Sequence, residues 1–186
     1  DVCSSDLQTT LASQANKALM AISRFQKKVG YLSCNDFFKI FDAMVKPILC
    51  YGSEIWGVTY SKIIERVQIK TCKYFLRVGR NTCNNMVLGE CGRFPLQLSY
   101  MSRAVKYWCR LISLPQCRLP HQCYLTLKSL DESGRITWAT HIRCILFRFG
   151  FGFVWISQEV GDIGSFIALF KQRLSDNLAQ DWYSSD

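Results

Sequence analysis

The amino-acid sequence predicts an all-α protein, an irregular bundle of about seven or eight helices that forms part of a larger protein. Two observations carry that reading. Apolar residues recur at spacings of three and four along most of the chain, and no segment sustains the alternation of period two that a half-buried strand requires. With 186 residues, 49% hydrophobic and 20% charged, and only 4 Pro and 11 Gly, the chain suits one domain or two small ones around a core, which excludes collagen-like and disordered classes.

The elements follow in order. Ala15, Ala18, Leu19, Ile22, Phe25 and Val29 make one apolar stripe, so a first helix runs from Leu11 until Gly30 stops it. Ser33 with Asp36 three residues on resembles a capping box, and Phe37, Ile40, Phe41, Met44 and Val45 carry the next apolar face until Pro47 kinks or restarts it. Ser61 is placed to cap a longer helix through Arg80. Further helices are expected over Thr82 to Glu90, Leu96 to Leu114, His121 to Leu130, Trp138 to Phe149 and Gly161 to Trp182. The β-branched and aromatic run Phe151 to Ile156 is the one serious strand candidate. No fixed repeat is visible, which disfavours a solenoid.

Asp1-Val2-Cys3-Ser4-Ser5-Asp6-Leu7 resembles a translated sequencing adapter, and no methionine precedes Met20, so the chain is expected to be a fragment. The expected organisation is an artefactual or disordered tail over residues 1–10, a single helix over 11–32, a basic helical region over 33–130, and a C-terminal helical region over 131–186 packed on it. The 10 cysteines lie in helical apolar patterns and are read mostly as reduced core thiols. The longest apolar run, Cys144 to Ile156, is broken by Arg148 and is too short for a membrane span of ~20 residues.

Charge is concentrated. Lys and Arg total 23 against 14 Asp and Glu, a net +9, and residues 61–128 hold 12 basic and 2 acidic side chains. Lys62, Arg66, Lys70, Lys73, Arg77 and Arg80 step by three and four, which places them on a stripe of roughly 80° if one helix carries them all. Ile63, Ile64, Val67, Tyr74, Phe75 and Val78 would form the buried neighbour face, with Ile69, Cys72 and Leu76 on a third side. Arg103, Lys106 and Arg110 repeat the device on the following helix. Spaced cations with almost no interleaved acids suit a phosphate backbone, because neutralising phosphates releases counterions whatever the base sequence.

Catalytic chemistry is not expected. Cys117, His121 and Cys123 with His141 and Cys144 match no common zinc spacing, and nothing sets a histidine against a thiol nucleophile. Gly52, Gly57, Gly89 and Gly92 form no phosphate-binding loop, and no Asp-Asp pair offers converging carboxylates for a two-metal site; the only adjacent acids are Asp131 and Glu132. Trp56, Trp108, Trp138, Trp155 and Trp182 occupy apolar-face positions and are read as core.

Several phrases point to a family. Phe41-Asp42-Ala43-Met44-Val45-Lys46-Pro47-Ile48 leads into Leu49-Cys50-Tyr51-Gly52-Ser53-Glu54-Ile55-Trp56-Gly57. Ile64-Glu65-Arg66-Val67-Gln68 leads into Phe75-Leu76, and Leu88-Gly89-Glu90-Cys91-Gly92-Arg93-Phe94-Pro95-Leu96 and Val105-Lys106-Tyr107-Trp108-Cys109-Arg110-Leu111 follow in order. Gly152-Phe153-Val154-Trp155 and the segment Asp176 to Trp182 complete the set. Together they resemble the region after the polymerase palm in reverse transcriptases of non-LTR, LINE-type retrotransposons. The resemblance implies that Leu11 to Gly30 belongs to the thumb and the rest to the helices that follow it. It implies an RNA-directed DNA polymerase as parent, whose palm supplies the catalytic aspartates and Mg, and a piece that is inactive alone with no cofactor of its own. The implied partners are RNA or an RNA-DNA duplex and the palm and fingers of the parent, with no membrane, in the nucleus or cytoplasm. The residues alone also allow a helical protein-interaction module with a basic docking face.

Overall fold

The computed structural model describes residues 2–30 and 32–183, with side chains described over 5–30 and 32–182. Asp1, the side chain of Cys3 and the chain end at Asp186 lie outside these residues. Eleven helices and no strand are present among the described residues. In chain order they are α1 (Val2–Val29), α2 (Cys34–Met44), α3 (Lys46–Leu49), α4 (Ser53–Trp56), α5 (Lys62–Leu76), α6 (Asn84–Glu90), α7 (Gln97–Ile112), α8 (Leu119–Glu132), α9 (Trp138–Arg148), α10 (Gly152–Ser157) and α11 (Ile163–Tyr183). The count exceeds the expected seven or eight because three short helices, α3, α4 and α10, occupy segments whose few residues carry no visible period.

Local signals explain several boundaries. Ser33 Oγ accepts the Asp36 N–H at the start of α2, Pro47 sits in the first turn of α3, and Ser61 Oγ accepts the Ile64 N–H at the start of α5. The first helix begins at Val2, nine residues before the expected start at Leu11, so the segment read as a tail is helical. Gln8 is buried with Leu11, Ala12 and Ala15 on one face and accepts a hydrogen bond from Ser61 Oγ at 2.7 Å. A polar residue extends that face, which is why apolar periodicity did not reveal it.

The run Phe151 to Ile156 is helical, not extended. Gly150 adopts φ +82 and turns the chain, and Phe151 then buries its ring against Phe166 and Phe170 at 5.3 and 5.9 Å between centroids. Phe151, Val154 and Trp155 are buried while Phe153 and Ile156 are exposed, a helical pattern of burial and not the alternation of a strand.

The chain divides into two compact units. The first comprises Asp1–Tyr51 with Ser61–Gln97, the second Gly52–Tyr60 with Leu98–Asp186. The expected border at residue 131 is thus replaced by one at Gln97 with an exchanged segment, and the first helix is no separate domain, since α1 packs on α5, α3 and α2. In the second unit Trp108 and Trp155 stack at 5.8 Å, and the Trp108 indole N–H donates to Tyr124 Oη, which donates to Gln158 Oε1 at 2.6 Å. Of the five tryptophans, Trp56, Trp108 and Trp155 are core as expected; Trp138 is half-buried with its N–H on Glu54 O, and Trp182 is 40% exposed.

Gly57 has no room for a side chain. A Cβ there would stand 2.7 Å from Tyr100 O and closer still to Ser53 O, while Trp56 packs its ring on Tyr100. The Tyr51 to Gly57 phrase is therefore structural, with Gly52 left-handed at φ +64 opening α4.

Candidate nucleic-acid interface

The site begins with what holds α5 in place. Its buried side consists of Ile64, Glu65, Val67, Gln68, Thr71 and Cys72, more polar than the expected apolar face, and Tyr74 and Val78 are exposed. The Glu65 carboxylate, only 2% exposed as a residue, accepts the N–H groups of Leu96 and Gln97 at 3.0 and 2.6 Å where α7 begins. An anion at a helix N-terminus satisfies donors that have no intrahelical partner. Gln68 donates to Phe94 O at 2.9 Å. Arg93 reaches back to Asp42 with two hydrogen bonds of 2.7 and 2.5 Å and lies 5.0 Å from the centre of the Phe38 ring. Burial opposes ionisation of Asp42, but the Arg93 hydrogen bonds and charge outweigh it and hold the carboxyl below the usual carboxylate range. Three of the phrases quoted above, those around Asp42, Glu65 and Arg93, thus meet in one packed region.

The opposite side of α5 carries the cations. Lys62, Arg66 and Lys70 are exposed and Lys73 is half-buried, so four of the six expected residues share one helical face. The helix ends four residues earlier than the sequence suggested. Arg77 adopts φ 56, its N–H bonds Tyr74 O, and the Val78 N–H bonds Lys73 O, so Arg77 and Arg80 stand in the turn beyond the helix and not on its stripe. Lys73 Nζ donates to Arg80 O at 2.7 Å and folds that turn back over the helix end. Among the described residues, the side chains of Lys62, Arg66, Lys70, Arg77 and Arg80 have no hydrogen-bond or ion-pair partner. Arg103, Lys106 and Arg110 are exposed along α7 in the second unit.

Sequence reasoning missed the cations of α1. Lys27 lines a groove together with Lys73 and Arg77. Its signal, Lys27 and Lys28 in the last turn of α1, lay in the sequence but on a separate helix.

The cysteine and histidine positions are structural or scattered. His121 Nδ1 meets Leu111 O at 2.9 Å, and Cys117, Cys123 and Cys144 are exposed. Among the described residues no group of three or more His, Cys, Asp or Glu is placed to hold a metal ion. Of the nine cysteines with described side chains, Cys50, Cys72, Cys91 and Cys109 are buried, and four, including Cys83, are exposed, so the core-thiol reading holds only for part of the set. Burial pushes the thiols of Cys72, Cys91 and Cys109 up, that of Cys109 to about 12, which keeps them protonated and unreactive at neutral pH. No helix among the described residues is long and apolar enough to cross a membrane.

Comparison with family models, curated proteins and solved structures gives no match to this chain.

Proposed function

We propose that this chain is a helical, nucleic-acid-binding segment of a non-LTR retrotransposon reverse transcriptase, one that holds template RNA or an RNA-DNA duplex by its backbone and contributes no catalytic carboxylates. The supporting observation is the exposed face of α5 and the turn beyond it, where Lys62, Arg66 and Lys70 on the helix and Arg77 and Arg80 in the turn project without an acidic partner among the described residues. Cations left unpaired on one face favour a polyanion, and spacing by helical turns suits repeated phosphates more than one compact acidic group. The polymerase lineage rests on the phrases from Phe41 to Leu111, and the parent's Mg chemistry would belong to its palm.

The test is the triple variant Lys70→Glu, Lys73→Glu, Arg77→Glu. Affinity for RNA and for an RNA-DNA duplex should fall about a hundredfold at low salt, with a shallower dependence on salt concentration. Unchanged affinity and slope would reject this face. Tight binding to an acidic protein, with little salt-dependent binding to nucleic acid, would favour the interaction-module reading instead.

A further inference from the structure

The seam between α1 and α5, both in the first unit, has more than charge. A groove of about 690 Å³ lies there, lined by Gln26, Lys27 and Gly30 from one side and by Lys73, Tyr74 and Arg77 from the other. A second depression of about 160 Å³ continues along the same seam, with Asn16, Ser23 and Lys70 in its wall. Tyr74 lines both, and it is 47% exposed. Among the described residues no carboxylate lines either hollow. Gln26 adds an independent sign, for its Oε1 is buried and has no hydrogen-bond donor among the described residues, a state that is costly in a folded protein.

A duplex does not need these features. Its bases are already stacked and paired, and it presents phosphates, which a flat cationic face can hold. An exposed aromatic ring between two hollows, rimmed by cations and backed by an unsatisfied acceptor, suits unstacked bases. We infer that the α1–α5 seam binds single-stranded nucleic acid, with bases packed against Tyr74 in the two hollows and phosphates on Lys27, Lys70, Lys73 and Arg77. A base amino or imino group entering the larger groove supplies the donor that Gln26 Oε1 lacks. The inference rests on the proposed backbone binding and adds to it the form of the strand and the contact with bases.

The experiment uses the full chain, a fluorescent single-stranded RNA 12-mer, a strand of equal length made of abasic sites, and a duplex. Tyr74→Ala should weaken the single-stranded RNA by roughly tenfold, the amount expected for one lost base stack, and leave the abasic strand, the duplex and the salt slope unchanged. Tyr74→Phe should restore wild-type affinity, because the ring and not the hydroxyl stacks. Circular dichroism should report the same helix content for both variants, as Tyr74 is largely exposed. Equal affinity of wild type and Tyr74→Ala for single-stranded RNA, or equal wild-type affinity for RNA and the abasic strand, would overturn the inference while steep salt dependence left backbone binding standing. Loss of salt-dependent binding to all three probes, or equal binding to polyglutamate, would reject the backbone reading and the inference with it.

Discussion

Two helices end on a non-glycine residue with positive φ, α5 on Arg77 at 56 and α10 on Gln158 at 54, and the two ends differ in what their side chains do. Gln158 turns its amide inward, accepts from Tyr124 Oη at 2.6 Å and donates to Trp155 O. Arg77 turns outward, and its guanidinium meets no partner among the described residues. A left-handed residue with a Cβ costs on the order of 1 kcal/mol. At Gln158 side-chain hydrogen bonds within the second unit offset that cost; at Arg77 no side-chain hydrogen bond or ion pair among the described residues does. Three other helices, α6, α8 and α9, close with the same pair of backbone bonds as α5, and each puts a glycine, Gly92, Gly134 or Gly150, at the left-handed position. An arginine where the chain elsewhere uses glycine is what a face selected for an external anion would retain.

The contrast between inward and outward side chains can be tested from its strongest point. Glu65 and Arg66 are neighbours on α5 with opposite assignments. Glu65→Ala should lower stability by about 3 kcal/mol in urea titration, since it leaves the N–H groups of Leu96 and Gln97 without their charged acceptor. Arg66→Ala should leave the unfolding midpoint within about 0.5 kcal/mol and weaken RNA binding. Gln158→Gly should cost about 1–2 kcal/mol despite relieving the backbone, because Tyr124 Oη loses its acceptor. A stabilised Gln158→Gly protein would break the comparison.

Acid gives a smaller effect. Asp42 and Asp131 are each held by an arginine, Arg93 and Arg143, and both carboxyls sit below the usual range, Asp131 through its Arg143 hydrogen bonds. Because the folded-state pKa values are depressed, the stability they contribute is complete above the unfolded carboxylate value of about 3.9 and is lost as pH falls through the folded values. The partial exposure of Asp42 limits its share to about 1 kcal/mol. Thermal melts between pH 5 and about pH 2 should show this loss, and Asp42→Asn should flatten part of it.

Much of the helical framework was legible because its signals are local. Ser33, Pro47 and Ser61 mark their boundaries by capping and ring geometry, and the cations from Lys62 to Lys73 declare a face by spacing alone. What stayed hidden depends on distant partners or on conformations that residue type does not announce. Glu65 looks like a surface acid until Leu96 and Gln97 are brought beside it. Arg77 carries no sign of a left-handed turn, and the three- and four-residue spacing of the cations up to Arg80 carried the expected helix past it. The α1–α5 groove was invisible because Gln26 and Lys27 lie on one helix and Tyr74 on another, with some fifty residues between them.

Arg77→Gly has the smallest expected effect on stability and tests the central claim most directly, since it removes the cation and relaxes the backbone together. Unfolding free energy and the salt dependence of single-stranded RNA affinity should be measured on the same preparation. The expected result is stability equal to wild type or raised by up to about 1 kcal/mol, with weaker binding and a log-log salt slope shallower by about 0.7. Lost stability with an unchanged salt slope would contradict the account, and Arg77 would then serve the fold as Gln158 does.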